Sequence, residues 1–289
     1  MSPRTLAAAP TDLDLRPGQS VELLKELHIL TRDGKLNQDS RRKLKQVYHL
    51  YQFIEKLLLE LPEGEGHPTV VDHGAGKSYL GFILYDLFLK SRPGGVMVGV
   101  ETRPELVQRS AELAQRLGFD RMRFLHLSAA QAVDSPELPP QVDMVTALHA
   151  CDTATDDAID FGLARRARFM VLVPCCQAEV AGLLRQHKAQ ALSRTPLAEL
   201  WRHPIHTREI GSQITNVLRC LYLEACGYQV TVTELVGWEH SMKNERIIAS
   251  YKDLPRQKPA RRLREVLASV GLDEEMGARF WLPEGALPA

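Results

Sequence analysis

VVDHGAGKSYLG, residues 70 to 81, decides how this chain is read. An apolar run ends in an acid, a glycine-rich bend follows, and an apolar helical segment begins. Strand, tight turn and helix in that order make the first half of a βα unit, and such turns are where open sheets bind ligands. The string GAGKS inside it suggests a phosphate loop. The upstream glycine of that motif is missing, however, and Asp72 stands in the stretch where it would lie. A carboxylate there repels phosphates. A dinucleotide loop of the G-x-G-x-x-G type gets further: Gly74 and Gly76 fit, Tyr79 takes the third place, and Gly81 follows two residues later.

Working outward, strands are expected at 69–72, 95–101, 122–127, 142–150 and 168–176, alternating with helices at 77–91, 104–118 and 153–167. Pro104 opens one of these helices and Gly118 closes it. A helix at 212–227 then precedes two strands with no helix between them, YQVTVTELV and NERIIASY. Successive βα units require a parallel sheet with helices on both faces, and the last two strands form an antiparallel hairpin at one edge. The fold class is therefore α/β: Rossmann-like, mostly parallel and seven-stranded, with a C-terminal antiparallel hairpin, the outline of a class I methyltransferase. Ahead of it, helices at 20–30 and 37–61 form an N-terminal helical extension. Three regions are expected: 1–66, tail and helical extension; 67–251, the sheet domain; 252–289, a basic C-terminal extension.

The acid in the first bend favours a ligand with positive charge and no phosphate. S-adenosyl-L-methionine (SAM) has an ammonium, a sulfonium and a ribose. Asp72 is expected to face its cationic part. His73, Gly74, Ala75, Gly76 and Tyr79 form the bend around it, the glycines because no Cβ keeps the backbone away. Glu101, 29 residues after Asp72 and at the end of the second strand, suits the ribose hydroxyls, with Thr102 beside it. A second task open to Glu101 is to cap the helix that starts at Pro104. Ser128 and Ala129, after the third strand, are expected beside the adenine. Leu148 and His149, after the fourth, line the methyl-donor pocket.

Lys plus Arg equals Asp plus Glu at 36 each, so net charge names no partner, but its distribution is uneven. Residues 35–56 carry six basic side chains against Asp39 and Glu55, and 252–265 carry six against Asp253 and Glu265. Residues 134–160 carry seven acids and no Lys or Arg. Five cysteines, an odd number, and an N-terminus without an apolar core of signal-peptide length are expected of a cytoplasmic protein with free thiols. No apolar stretch is long enough for a membrane span, and no membrane partner is expected.

Three motifs together carry a resemblance: DHGAGKSYLG (72–81), LHACDTATDDAI (148–159) and VPCCQ (173–177). They resemble the methyltransferase-domain family that includes the eukaryotic tRNA 2′-O-ribose methyltransferase and the methyltransferase-like 25 proteins of animals. The likeness spans about 69–250. In that family the fourth strand ends in a histidine with a cysteine close behind, then A-T-D, and the fifth ends in proline and two cysteines. Here these are His149, Cys151, Ala154-Thr155-Asp156, and Pro174-Cys175-Cys176. Where the family has glycine after the first cysteine, this chain has Asp152, which bears on the geometry or charge of that turn. The resemblance implies a SAM-dependent methyltransferase.

Three roles stay open for the polar residues that end the fourth and fifth strands. His149 or Asp152 serves as general base for an oxygen or nitrogen nucleophile. Alternatively Cys151 and Cys175 act as in RNA cytosine-5 methyltransferases, which place one cysteine after each of these strands. Thirdly, the thiols and His149 hold a metal, which adjacent cysteines do poorly and no C-x₂-C pair supports, so no metal is expected. Buried packing is the plain alternative for Cys175 and Cys176, and Cys220 and Cys226 are read as core. Ser212, Gln213 and Asn216 either cap the helix they open or meet substrate; His240, Lys243 and Asn244 sit in the last hairpin. RNA, tRNA or rRNA, is the acceptor class that Arg41, Arg42 and Lys43 favour, with Lys243 and Asn244 as further substrate contacts. A protein or small-molecule acceptor, with the N-terminal helices closing as a lid, is the alternative; a SAM-binding protein without catalysis is a third.

Overall fold

The computed structural model describes residues 15–36, 38–61, 67–148, 150, 152–174, 177–186, 196–234, 245–280 and 282. The chain starts with α1 (Val21–Glu26) and α2 (Gln38–Leu59), then enters the sheet through β1 (Thr69–His73). It continues with α3 (Tyr79–Leu84), a π-helical turn (Tyr85–Leu89), β2 (Val96–Glu101), α4 (Pro104–Arg116), β3 (Met122–His126), α5 (Ala129–Asp134) and β4 (Met144–Leu148). Next come α6 (Ala154–Ala164), β5 (Phe169–Val173), α7 (Glu179–Gln186), a 3-10 turn (Pro196–Trp201) and α8 (Pro204–Ala225). The hairpin strands β6 (Tyr228–Glu234) and β7 (Glu245–Tyr251), then α9 (Gln257–Val270) and α10 (Asp273–Met276), complete it.

Among the described residues seven strands form one sheet in the order β3-β2-β1-β4-β5-β7-β6. The first five are parallel, and β7 runs antiparallel to both β5 and β6. This is the expected Rossmann-like methyltransferase sheet. The strand order reverses at β1, which lies between β2 and β4, and that reversal opens a crevice at the carboxyl ends of the strands. Register puts Asp72 beside Gly99 of β2 and Thr146 of β4.

Alternation along the strands builds two cores. Val70, Met97, Met144, Val171 and Val173 point to the face covered by α1 to α4; Val71, Val98, Val145, Met170 and Leu172 point to the face covered by α5, α6 and α8 to α10. The chain ends are part of both layers. Leu23 and Leu24 of α1 and Leu50 and Ile54 of α2 are fully buried in the first core. Leu263 and Leu267 of α9, with Met276 and Phe280, complete the second. Residues before the expected boundary at 66 thus share the first core with the sheet, and residues after the one at 251 share the second. The N-terminal helices, which the alternative reading gives to a lid, bury their apolar faces against the first core.

Further departures are local. Helix α8 begins at Pro204, two turns before the expected start, with His203 extended before a proline at the first helical position. Ser212, Gln213 and Asn216 therefore lie inside the helix. Neither α5 nor α7 was expected; both are short and depend on side-chain caps. In α5, Ser128 and Gln131 form a reciprocal capping box.

A buried polar network joins the elements around β4 and β5. Arg219 of α8, 0 % exposed, donates from Nε and Nη2 to Asp156 of α6 at 2.8 and 2.7 Å. It also donates to the Asp152 carbonyl at 2.8 Å and to Asn216 Oδ1 at 3.2 Å. Arg279 reaches the same Asp156 at 3.7 Å and Glu179 of α7 at 2.6 Å. Replacing Arg219 by Met leaves the Asp156 charge without its principal partner and should cost about 3–5 kcal/mol of stability. The expected measurement is a lower urea midpoint at unchanged slope, partly recovered in Arg219→Met/Asp156→Leu.

Candidate functional site

The bend after β1 is built from left-handed backbone. Gly74, Gly76 and Ser78 have φ of 66°, 58° and 50°. A Cβ on Gly74 would meet nothing within 4 Å, and one on Gly76 would come no closer than 3.7 Å to Arg103 Nη2. Conformation, not crowding, therefore requires glycine at both places. Gly81 answers to the opposite demand: a Cβ there would lie 2.3 Å from Ser78 Oγ and 2.9 Å from Met97 Cε, so its absence lets α3 close on β2.

Glu101 holds the other side of the bend. Its Oε2 accepts from the Gly76 amide at 2.7 Å. Its Oε1 accepts from the amides of Thr102 and Arg103 at 3.0 and 3.1 Å, and Arg103 Nε and Nη2 close on the two oxygens at 2.9 and 3.2 Å. Burial acts to raise the Glu101 pKa, but the hydrogen bonds from Arg103 and the Gly76 amide outweigh it and hold the carboxyl at about 2. The group is an anion at any working pH. It also shapes the entry to α4, the second task weighed for it. The Arg103 side chain is 58 % exposed, so its ion pair is a weak surface contact that a ligand can displace. A ribose diol donating to Glu101 and a methionine moiety lying along Gly74 to Gly76 fit this arrangement once Arg103 swings out.

Asp72, expected to face the cationic part of SAM, is buried and engaged by two hydroxyls. It is 3 % exposed; Thr146 Oγ1 donates to its Oδ1 at 2.9 Å and Ser78 Oγ to its Oδ2 at 3.2 Å. Strand alternation turns it toward α3, and its work is to hold the bend to β4. Burial raises its pKa to about 6, against the two hydroxyl donors. His73 points to the opposite face, 5.6 Å from the Phe161 ring, with both ring nitrogens unpartnered. Burial lowers its pKa to about 4, so the ring is neutral.

Ala75 donates its amide to Val100 and lies in the bend. Tyr79 turns outward and lines a cavity with Lys77, Leu27 and Leu113, on the surface between α1, α3 and α4 rather than at the crevice. The Thr102 amide and hydroxyl both bond Glu101. Ser128 caps α5, and Ala129 is the first residue of that helix, at the carboxyl end of β3. Leu148 ends β4, half-buried.

Asp152 has a φ of 50°, which explains the glycine that the resembling family has there. Its Oδ1 accepts from the amides of Ala178 and Glu179 at 3.0 and 3.3 Å, so it caps α7 and is not a base with free lone pairs on that oxygen. His149, Cys151, Cys175, Cys176, His240, Lys243 and Asn244 lie outside the described residues, as does the side chain of Lys43. Arg41 and Arg42 are exposed on α2. Ser212 and Asn216 meet Gln177, and Asn216 also meets Glu245, at 2.5, 3.1 and 2.7 Å, so they brace the segment after β5 against β7. Cys220 and Cys226 pack against the core, their thiols pushed up by burial to about 12 and about 11. Among the described residues no group of three or more His, Cys, Asp or Glu could hold a metal, and no helix is long and apolar enough to cross a membrane. Sequence reasoning missed Thr146, Arg103 and Arg246. Arg103 could have been suspected two residues after the acid; Thr146 and Arg246 leave no local signal.

The model of a protein family described as "Methyltransferase domain" matches residues 42–182, from α2 into α7. Among curated proteins, the glutathione S-transferase C-terminal domain-containing protein of Xenopus laevis is 22 % identical over 236 residues, which cover 75 % of this chain and 36 % of the relative. Its Homo sapiens counterpart is 23 % identical over 234 residues, covering 75 % and 34 %. The chain thus spans about a third of the length of the curated relatives it matches. Among solved structures, the CMeT domain of the citrinin polyketide synthase is similar with a TM-score of 0.47 and 14 % identity over 75 % of this chain and 58 % of that one. The fold rests on the strand order itself: this is a class I, Rossmann-like methyltransferase sheet. Fold and family match together support a SAM-dependent methyltransferase.

Two measurements test the site. Because Asp72 binds its proton more tightly when folded, the native chain keeps a proton between about pH 4 and 6 that the unfolded chain has released. Its contribution to stability therefore falls as pH rises through that window and is flat above it. Asp72→Asn, which does not titrate, should gain on the wild type by about 3 kcal/mol across the same window, from a lower start because one hydroxyl loses its acceptor. Parallel stability curves would remove the buried-acid assignment. By calorimetry, Glu101→Gln should weaken SAM binding by about 10- to 100-fold. Arg103→Ala should strengthen it by about 2- to 5-fold, through loss of a competing surface ion pair.

Proposed function

We propose that the protein is a SAM-dependent methyltransferase whose acceptor is RNA, tRNA or rRNA. The observation that carries this reading is the Glu101 carboxylate, clamped to the Gly76 amide at the switch point of the sheet. When bound, SAM supplies an electrophilic methyl group on a sulfonium. Glu101 would hold its ribose, the backbone of Gly74 to Gly76 its methionine part, and the Ser128–Ala129 segment would flank its adenine. Much of the rate then comes from positioning the acceptor oxygen or nitrogen in line with the methyl group. In this reading His149, directly after Leu148 of β4, takes the proton that the acceptor loses. Asp152 orients the turn through its cap on α7.

RNA is favoured over other acceptors by the motif resemblance and by exposed cations on two helices: Arg41 and Arg42 on α2, and Arg261, Arg262 and Arg264 on α9. Neutralising phosphates with such side chains makes affinity rise as salt falls. A protein or small-molecule acceptor, with the N-terminal helices as a lid, is the competing outcome.

The test is transfer of tritiated methyl from SAM into fractionated cell extract, digested separately with ribonuclease and protease. Label released by ribonuclease alone supports the reading, and label released by protease alone overturns the RNA acceptor. His149→Ala should lower turnover by about 10²- to 10⁴-fold with SAM affinity unchanged. Cys151→Ser and Cys175→Ser should leave turnover intact; a loss in either would favour attack by a thiol on a pyrimidine ring instead.

A further inference from the structure

Lys77 is the residue of the GAGKS string that the SAM site leaves without a task. Its side chain is exposed and lines an open cavity of about 330 Å³ between α1, α3 and α4. Leu27 and Leu113 supply apolar wall there, Tyr79 lies half-buried in it, and Arg109 and Arg116 of α4 line it too. A second open cavity, of about 520 Å³, follows α1 and is lined by Lys25 and Arg32. Glu26 and His28 are walls of both, so the two make one groove along α1.

Five cations line the groove against three carboxylates. Arg116 and Glu26 neutralise each other at 3.0 Å, and the Gln108 amide donates to Glu112 at 2.9 Å. Among the described residues Lys25, Arg32, Lys77 and Arg109 form no ion pair, so four cations stand against Glu22 and Glu112. Two neighbours extend the strip. Ser40 Oγ of α2 donates to the His28 carbonyl at 3.5 Å, which sets the exposed Arg41 and Arg42 next to the wall that both cavities share. At the other end Lys77 directly follows Gly76, whose amide meets Glu101 in the bend. The excess of positive charge thus runs from the start of α2, past α1, to the edge of the bend. A cationic track with an aromatic face beside it suits single-stranded nucleic acid, with phosphates on the cations and a base on the ring. A duplex, its bases stacked inside, could use the cations alone.

We propose that this groove binds a single-stranded stretch of the acceptor RNA, with phosphates on Arg32, Lys77 and Arg109 and one base against Tyr79, and leads it along α1 to the bend. The inference rests on the RNA reading above for the identity of its partner. It gives the lysine of GAGKS a phosphate beside the bend rather than inside it, and it joins Arg41 and Arg42 to a shaped surface.

The experiment follows binding of a fluorescent single-stranded RNA oligonucleotide of mixed sequence to the full chain across a salt series. Arg32→Gln/Arg109→Gln should weaken binding by about tenfold and flatten the slope of log affinity against log salt by about 0.7 for each charge removed. Its SAM affinity by calorimetry should equal that of the wild type. Tyr79→Leu should weaken binding by about tenfold at unchanged slope, because a lost stack carries no charge. Arg166→Gln, the same charge change at an exposed site between α6 and β5, should alter neither affinity nor slope. A duplex of the same sequence should bind more weakly and be indifferent to Tyr79→Leu. Unchanged affinity and slope in the double variant, or an equal loss in Arg166→Gln, overturns the groove. Tritiated methyl transfer separates this outcome from failure of the RNA reading. Label in RNA with binding unchanged in the groove variants keeps RNA as acceptor and removes the groove. Groove-dependent binding with label in protein alone keeps the groove as an RNA-binding surface and removes RNA as acceptor.

Discussion

The carboxylate of Asp72 ties three elements at the point where the strand order reverses. It sits on β1, takes the hydroxyl of Thr146 from β4, and takes the hydroxyl of Ser78 at the entry to α3. Ser78 is held in the left-handed region by this contact, and with it the bend from Gly74 to Gly76. The Gly76 amide is thereby presented to Glu101. Glu101 and the Val100 carbonyl tie the bend to β2, and the buried acid ties it to β4. Its burial has a consequence for stability, since a desolvated carboxylate that lacks a cationic partner favours its neutral form.

Two acids on neighbouring strands are displaced in opposite directions, Asp72 up to about 6 and Glu101 down to about 2. Environment alone divides their tasks. Asp72 meets neutral hydroxyl donors in a dry interior and works as scaffold. Glu101 meets amides and a guanidinium at the end of β2 and stays charged. Each also acts on the other, for the Glu101 charge adds to the upward shift of Asp72.

The same contrast separates the two fully buried arginines. Arg219 is neutralised by Asp156 and locks α6 to α8, so its charge is used up inside the fold. Arg246 has an aromatic ring below it and no acceptor around its edge. One is neutralised within the scaffold; the other is a buried charge stacked on the Phe53 ring. Both chain termini matter here, because α2 supplies Phe53 and the segment after α10 supplies Arg279 to Asp156.

By itself the sequence determined the α/β class, the βα alternation and the antiparallel hairpin, because apolar period and turn residues act locally. It also placed the glycine bend and Glu101 at the ends of adjacent strands, since parallel strands joined by short helices bring their carboxyl ends together. Only the tertiary structure decided that Asp72 turns inward, that Asp152 caps α7, that Ser212 and Asn216 hold Gln177, and that Arg246 has no hydrogen-bond partner. Those outcomes depend on which face of a strand a side chain meets and on partners far away in the chain, such as Asp156 and Arg219, 63 residues apart. Local propensity carries no information about such pairs. They are set when two layers of helices close on a shared sheet and each polar group that loses water must find a partner or do without one.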